Sequence, residues 1–129
     1  MNQRLMQVHA AAAWLFVASI IVQVFLIGTA LPQLGGSNNF SDHVNFGYTY
    51  VGIAALLVVV TAVVARAGRR AIGISVGLLV LYVVQTSLPY AKGSIPWIAA
   101  LHPVNALLLF ALAIWYARRA WQASSAAAN

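Results

Sequence analysis

Four long apolar segments decide what this chain can fold into. Each is long enough to cross the roughly 30 Å hydrocarbon core of a bilayer, which takes about 20 helical residues. The predicted membrane helices are Leu5–Leu31, Asp42–Ala65, Ala71–Leu88 and Ile95–Ala117. With 63% apolar and only 6% charged residues, the chain has too few charges to cover the surface of a soluble domain. The sequence therefore predicts an all-α fold, an integral membrane four-helix bundle in which residues 1–129 form a single domain.

The basic residues predict how this bundle is oriented. All six arginines flank one end of it: Arg4, Arg66, Arg69, Arg70, Arg118 and Arg119. The opposite end carries only Asp42 and Lys92. By the positive-inside rule, both termini are expected in the cytoplasm, in a multi-pass protein of the bacterial inner (plasma) membrane. Because topology accounts for the arginines, the net charge of +6 does not indicate nucleic-acid binding.

Two histidines are the main functional signal within the apolar segments. His43 opens the second segment and His102 lies near the start of the fourth, on the same side of the membrane. An imidazole is costly to bury in a bilayer, so an intramembrane histidine marks a candidate functional site. Two of them predict a pair of axial ligands for one metal centre, for which haem b is the best candidate. Bis-histidine ligation leaves no open position on the iron and favours electron transfer.

Small and polar residues near these histidines complete the predicted site. Gly47 and Ala106 each follow a histidine by four residues, and residues at i and i+4 share a helix face, which leaves room for a porphyrin. Tyr48 is expected at the haem edge, and Lys92 is the only outer cation available to a propionate. A ligating histidine usually donates its second ring N–H to a partner. The available side-chain acceptors are Asp42, Asn45, Asn105, Gln23 and Gln85.

A faint internal repeat relates the two halves of the chain. Val-Gln occurs in the first and third segments, at Gln23 and Gln85, and a histidine followed by asparagine occurs in the second and fourth. A duplication would relate the halves by a pseudo-twofold axis along the membrane normal, so that the two histidines face each other. The spacings differ between the halves, so duplication stays one of two interpretations.

The depth of the two histidines argues against a shared centre. Arg66 follows His43 by 23 residues, whereas Arg118 follows His102 by only 16. If the arginines lie at one level, the histidines are roughly 10 Å apart in depth at about 1.5 Å per residue. An interfacial position, with water or lipid headgroups as partners, is therefore the alternative interpretation of both side chains. The third histidine, His9, is interpreted as a lone interfacial residue.

The segments Asp42–Tyr48 and Leu101–Leu108 resemble an uncharacterised family of small bacterial four-helix membrane proteins. Members look like half of a heme A synthase or a minimal membrane b-type cytochrome. The shared motifs are a histidine then a glycine at the start of the second helix, and His-Pro-Val-Asn-Ala on the fourth. The resemblance implies His43 and His102 as outer-side haem ligands. Related proteins often carry a basic residue where this chain has Val44, and the chain lacks the doubled scaffold that heme A synthase activity uses.

Several classes of function remain open from the sequence. The leading hypothesis is a haem b-binding membrane protein that carries electrons, or a haem-bearing subunit of a redox complex. The alternative is a non-catalytic accessory subunit of a larger membrane complex, favoured by the close-packing residues Ala10–Ala13 and by Gly73-x-x-x-Gly77, a spacing that also suits a homo-oligomer. A transporter is disfavoured because the segments contain no acid to couple ion movement. The residues provide no catalytic set for a hydrolytic enzyme.

Overall fold

The computed structural model describes residues 2–126, in which every regular element is helical. Four helices are long and apolar enough to cross a membrane. They are α1 (Gln3–Ala30), α2 (Ser41–Val64), α3 (Arg69–Gly93) and α4 (Pro96–Ala126). The last six residues of α3, Leu88–Gly93, form a tighter 3₁₀ helix. The predicted membrane-type four-helix bundle is confirmed.

The four helices form a ring in chain order. α1 packs against α2 and α4, and α3 packs against the same two helices. As a result, α2 and α4 face each other across the bundle. Both of them begin at the end that holds His43 and His102, which we call the histidine end. The six arginines flank the other end, which we call the arginine end. The start of α1 and the end of α4 meet there, because Met6 and Ala123 line one cavity.

Small side chains let α1 and α4 approach closely. Ala10 and Ala13 of α1 are buried, as are Ala113 and Ala117 of α4, and all four belong to the core of the bundle. Close backbone approach through small residues is the usual basis of helix packing in membranes. Ala12 is buried as well. The alanine run of α1 therefore packs largely within this chain and is not a free docking face for a partner.

The fourth helix is longer than the sequence predicted. It continues to Ala126 instead of ending at Ala117. Residues 118–126 contain no glycine or proline and include three alanines, so nothing in their composition stops the helix. Ala120 and Ser124 are also buried against the bundle. Residues 127–129 lie outside the described part of the chain.

A π-helical turn at Gly47–Val51 interrupts α2 one turn after His43. Such a turn inserts an extra residue and leaves carbonyl groups without their usual α-helical partners. The Tyr82 hydroxyl of α3 lies 3.0 Å from the carbonyl oxygen of Gly47 and 3.3 Å from that of Tyr48, and it donates its hydrogen there. The π-helical turn is thus stabilised from the neighbouring helix. The sequence analysis did not predict it.

The contact between Tyr82 and α2 predicts opposite effects for two glycine substitutions. A Cβ atom at Gly52 would lie 2.6 Å from the Tyr82 hydroxyl oxygen, whereas a Cβ atom at Gly73 would meet nothing within 4 Å. We expect Gly52→Ala to lower the free energy of unfolding by about 1–2 kcal/mol, because overpacking displaces a ring that cannot easily move. Gly73→Ala, the matched control, is expected to change it by less than about 1 kcal/mol, in the stabilising direction. Denaturant titrations of the protein in detergent test both; equal effects would contradict the assigned contact.

Candidate functional site

His43 and His102 face each other across the histidine end of the bundle. Their ring centroids are 6.5 Å apart and their ring planes are inclined at 70°. Each side chain is partly buried, and each comes from one of the two helices that lie diagonally opposite. The two imidazoles that the sequence singled out are therefore neighbours in the structure.

The ring of His43 is held in one tautomer by α1. Its Nδ1 lies 3.1 Å from the main-chain carbonyl oxygen of Gln23. Because a carbonyl oxygen only accepts hydrogen bonds, Nδ1 carries the proton and Nε2 keeps its lone pair. The Gln23 side-chain amide donates to His43 Nε2 at 3.3 Å and to the His43 carbonyl oxygen at 2.8 Å. The ring of His43 thus keeps its basic nitrogen at Nε2.

The ring of His102 is held in the same way by α3. Its Nδ1 donates to the main-chain carbonyl oxygen of Gln85 at 2.9 Å, and its Nε2 accepts from the Gln85 amide at 3.2 Å. The Gln85 carbonyl is free for this bond because the residue four positions later is Pro89, which has no N–H to donate. The acceptors are therefore main-chain oxygens of two of the predicted residues, rather than side chains.

The two histidine–glutamine pairs differ in one respect. Asn105 donates to the side-chain oxygen of Gln85 at 2.8 Å and to the carbonyl oxygen of Leu81 at 3.1 Å, which fixes the Gln85 amide. No equivalent contact reaches Gln23. Among the described residues, the Gln23 side-chain oxygen is the buried side-chain atom left without a hydrogen-bond partner. The two halves of the faint internal repeat therefore make the same histidine–glutamine contacts, and they differ in the contact from Asn105.

An apolar cavity of about 390 Å³ lies at the histidine pair. Both histidines and both glutamines line it, and so do Gly47 and Ala106. The other lining residues are largely apolar and come from all four helices: Ile20, Val24, Ile27, Val51, Tyr82, Thr86, Pro103, Leu107 and Leu109. The site therefore combines two imidazoles with a largely apolar cavity.

Three predicted site residues lie elsewhere. Tyr48 is exposed, and its hydroxyl contacts the Tyr90 hydroxyl at 2.7 Å, away from the residues that line the cavity. Lys92 is exposed on the 3₁₀ segment of α3 and does not line the cavity. Asn105 reaches the site only through Gln85. Gln23 and Gln85, predicted as possible partners, are the residues that contact the histidines directly.

The structure also explains why the two histidines lie together despite the difference in depth that the arginine spacing predicts. The arginines do not mark one level, because α4 continues seven residues beyond Arg119 to Ala126, whereas α2 ends at Val64, before Arg66. The π-helical turn adds one residue to α2 between His43 and Arg66. Together these features let the two imidazoles lie side by side, although 23 residues separate His43 from Arg66 and only 16 separate His102 from Arg118.

A second polar cluster lies at the arginine end, and the sequence analysis missed it. His9 is only 1% exposed; its Nδ1 is 2.9 Å from Thr61 Oγ1 and its Nε2 is 2.8 Å from the Tyr116 hydroxyl. Ser75 Oγ lies 2.9 Å from the same hydroxyl. The polar cluster, His9, Thr61, Ser75 and Tyr116, thus takes one residue from each helix.

The interpretation of His9 as an interfacial residue is therefore wrong, because its imidazole is enclosed within the bundle. One sequence signal could have found the cluster. Each of its four residues lies within five positions of an arginine that flanks the bundle, so the sequence places all four polar groups just inside the arginine end. A polar group at that depth is expected to find a partner on another helix, because lipid offers none.

Comparison with known proteins adds a family but no activity. Residues 23–92, just over half of the chain, match a family described as a family of unknown function (DUF6220). The chain belongs to this family. The matched segment contains Gln23, His43 and Gln85 and ends before His102. No curated protein and no solved structure matches the chain.

Proposed function

We propose that this protein binds one haem b between His43 and His102 and serves in electron transfer, as a carrier or as the haem-bearing subunit of a redox complex. The observation that supports the proposal most directly is the pair of facing imidazoles. Two imidazoles that ligate one iron from opposite sides each place a nitrogen about 2 Å from the metal, which puts their ring centres roughly 6 Å apart. The measured separation is 6.5 Å.

The hydrogen bonds of the site favour the same ligand. Each Nδ1–H is held by a main-chain carbonyl oxygen, which is the type of second contact that orients a metal-ligating histidine. Both Nε2 atoms are consequently the basic nitrogens, and within residues 2–126 each is hydrogen-bonded to a neutral glutamine amide. Ligation would replace those two amide contacts, and the unpartnered oxygen of Gln23 shows that its amide is not fully held by protein groups.

The number of ligands also suits a porphyrin-bound metal. Within residues 2–126, no three His, Cys, Asp or Glu side chains come together, so the protein can supply two ligands but not the three or four that a bare zinc site uses. In haem the macrocycle supplies the other four. Gly47 contributes to the site by letting the Gln23 amide approach α2, since a Cβ atom at Gly47 would lie 2.6 Å from the amide nitrogen. When bound, the haem would carry one electron by cycling between ferric and ferrous iron.

The location follows from the charges. We place the arginine end in the cytoplasm and the histidine pair near the outer face of the bacterial plasma membrane, because arginines concentrate on the cytoplasmic side of membrane helices. This arrangement is the one that the resemblance to half of a heme A synthase or a minimal membrane b-type cytochrome implies. A membrane redox partner would then exchange electrons with the site close to the outer surface.

An accessory role in a larger membrane complex is the second candidate, and the open face of α3 favours it. Gly73 and Gly77 are exposed, and no heavy atom lies within 4 Å of where their Cβ atoms would be. Small-xxx-small faces let a second helix approach closely in membranes. This role does not require the histidine pair and predicts a protein without a chromophore.

A haem titration separates the two candidates. Hemin is added to the purified protein in detergent and the Soret absorbance is followed. We expect a saturating change at one haem per chain. An absorbance that rises linearly without saturation, as for free hemin in micelles, would contradict the proposed function and leave the accessory role.

A further inference from the structure

A cavity of about 200 Å³ opens at the arginine end, far from the histidine pair. It lies between α1, α3 and α4. Arg70 of α3 and Arg119 of α4 both line it, together with His9 and Tyr116 of the polar cluster. Most of the remaining wall is made of small side chains, namely Ala67, Ala71, Ala120 and Ala123. Two arginines from different helices therefore border one small cavity.

No carboxylate side chain of this chain can neutralise these arginines. Asp42 is its only acidic side chain, and it belongs to the histidine end. The first turn of α3 contains Arg69 and Arg70 and no acidic residue, which is unfavourable because a helix begins with a partial positive charge. Positive charge thus concentrates at the cavity with no acidic side chain to balance it, and an anion from outside would be attracted there.

The position of Arg119 suits a ligand at the membrane surface. Its guanidinium lies 5.1 Å from the centre of the Trp115 ring, a contact that supports the side chain. His9 and Tyr116 are already bonded within the polar cluster, so they close the inner side of the cavity as a polar wall. The two arginines are exposed, and they remain available to a ligand that enters from the surface.

We propose that this cavity binds a phosphate group, which is either the phosphodiester of an acidic phospholipid or free inorganic phosphate. A guanidinium group can donate two parallel hydrogen bonds to two oxygens of a phosphate, and two arginines from different helices can bind the same phosphate. Basic pockets between membrane helices on the cytoplasmic side are suited to acidic headgroups. The site is independent of the haem proposal, since it uses other residues at the other end of the bundle.

Matched double variants test the site. R70Q/R119Q removes both cavity arginines, and R66Q/R69Q removes the same charge from the same end at positions that do not line the cavity. Binding of phosphatidylglycerol, with phosphatidylcholine of identical chains as the neutral lipid, is measured by native mass spectrometry from detergent. We expect about 20-fold weaker phosphatidylglycerol binding in R70Q/R119Q, since each basic residue contributes roughly fivefold, and less than a twofold change in R66Q/R69Q. Equal losses in both variants, or no loss in either, would overturn the proposal.

Two further measurements complete the test. R70K/R119K keeps the charge but loses the paired N–H donors of arginine, and we expect its binding of phosphatidylglycerol to be several-fold weaker than that of the wild type. Binding equal to that of the wild type would overturn the role of the paired donors. Inorganic phosphate is then added to lipid-free protein. Saturable phosphate binding that R70Q/R119Q abolishes identifies free phosphate as the source, whereas binding of phosphatidylglycerol alone identifies the lipid. Circular dichroism and size-exclusion profiles verify that each variant is folded.

Discussion

Replacing either His43 or His102 with alanine is expected to abolish haem binding while the four-helix bundle remains folded. Each substitution removes one of the two neighbouring imidazoles that line the cavity. With one imidazole left, the protein would supply a single histidine ligand to a bound haem, so the low-spin spectrum is expected to disappear with either variant. Neither side chain is fully buried, and each contacts only one glutamine by hydrogen bonds, so the loss of stability should be small.

The adjacent residues on the same helices provide matched controls. Val44 and Val104 lie near the two histidines but are exposed on the outside of the bundle, at 45% and 59%. Val44→Ala and Val104→Ala should keep one haem per chain and an unchanged spectrum. The ratio of haem to folded protein is measured for all four variants by the pyridine haemochrome method after size-exclusion chromatography. A histidine variant with the full wild-type spectrum would show that its side chain is not a ligand.

Replacing His9 with alanine is expected to have the largest effect on stability. The substitution removes hydrogen bonds to Thr61 and Tyr116 that join three helices, and it leaves a void where a fully enclosed ring was. Hydrogen bonds between membrane helices contribute about 0.6–2 kcal/mol each, and large-to-small changes in a core add a cavity cost. We therefore expect the free energy of unfolding to fall by about 2–4 kcal/mol. Titration with sodium dodecyl sulfate, followed by circular dichroism, measures it.

Tyrosine variants separate this effect from a general loss of polar groups. Tyr116→Phe removes only the hydroxyl that contacts His9 and Ser75, and we expect a loss of about 1–2 kcal/mol. Tyr50→Phe removes a hydroxyl from an exposed ring and should have an effect below about 0.5 kcal/mol. If His9→Ala and Tyr50→Phe were equally stable, the polar cluster would not be the stabilising contact that its geometry indicates. The haem content per folded chain should not change in any of these variants.

Much of this architecture could be predicted from the sequence because the bilayer allows few alternatives. Four apolar segments whose interiors contain no acidic residue are expected to be helical in a bilayer, since lipid offers no partner to unpaired main-chain groups. The pairing of His43 with His102 could be predicted because polar side chains are rare within such segments and both lie at one end. These two predictions need only the spacing of residue types along the chain.

The parts that could not be predicted depend on contacts between helices. The π-helical turn requires the Tyr82 hydroxyl from another helix, and nothing local to Gly47–Val51 specifies it. The burial of His9 depends on two hydrogen-bond partners, Thr61 and Tyr116, that are distant in sequence. The acceptors of the two histidines are main-chain oxygens, which a search among side chains cannot find, although Pro89 indicates that one carbonyl is free.

The central claim is that His43 and His102 hold one haem b between them. It is tested most directly by the visible spectrum of the protein purified in detergent after expression with added haem, recorded oxidised and then reduced with dithionite. We predict a sharp Soret band, and separate α and β bands on reduction, as for low-spin iron with two histidine ligands. A colourless protein, or a coloured one with the broad bands of high-spin iron, would contradict the claim.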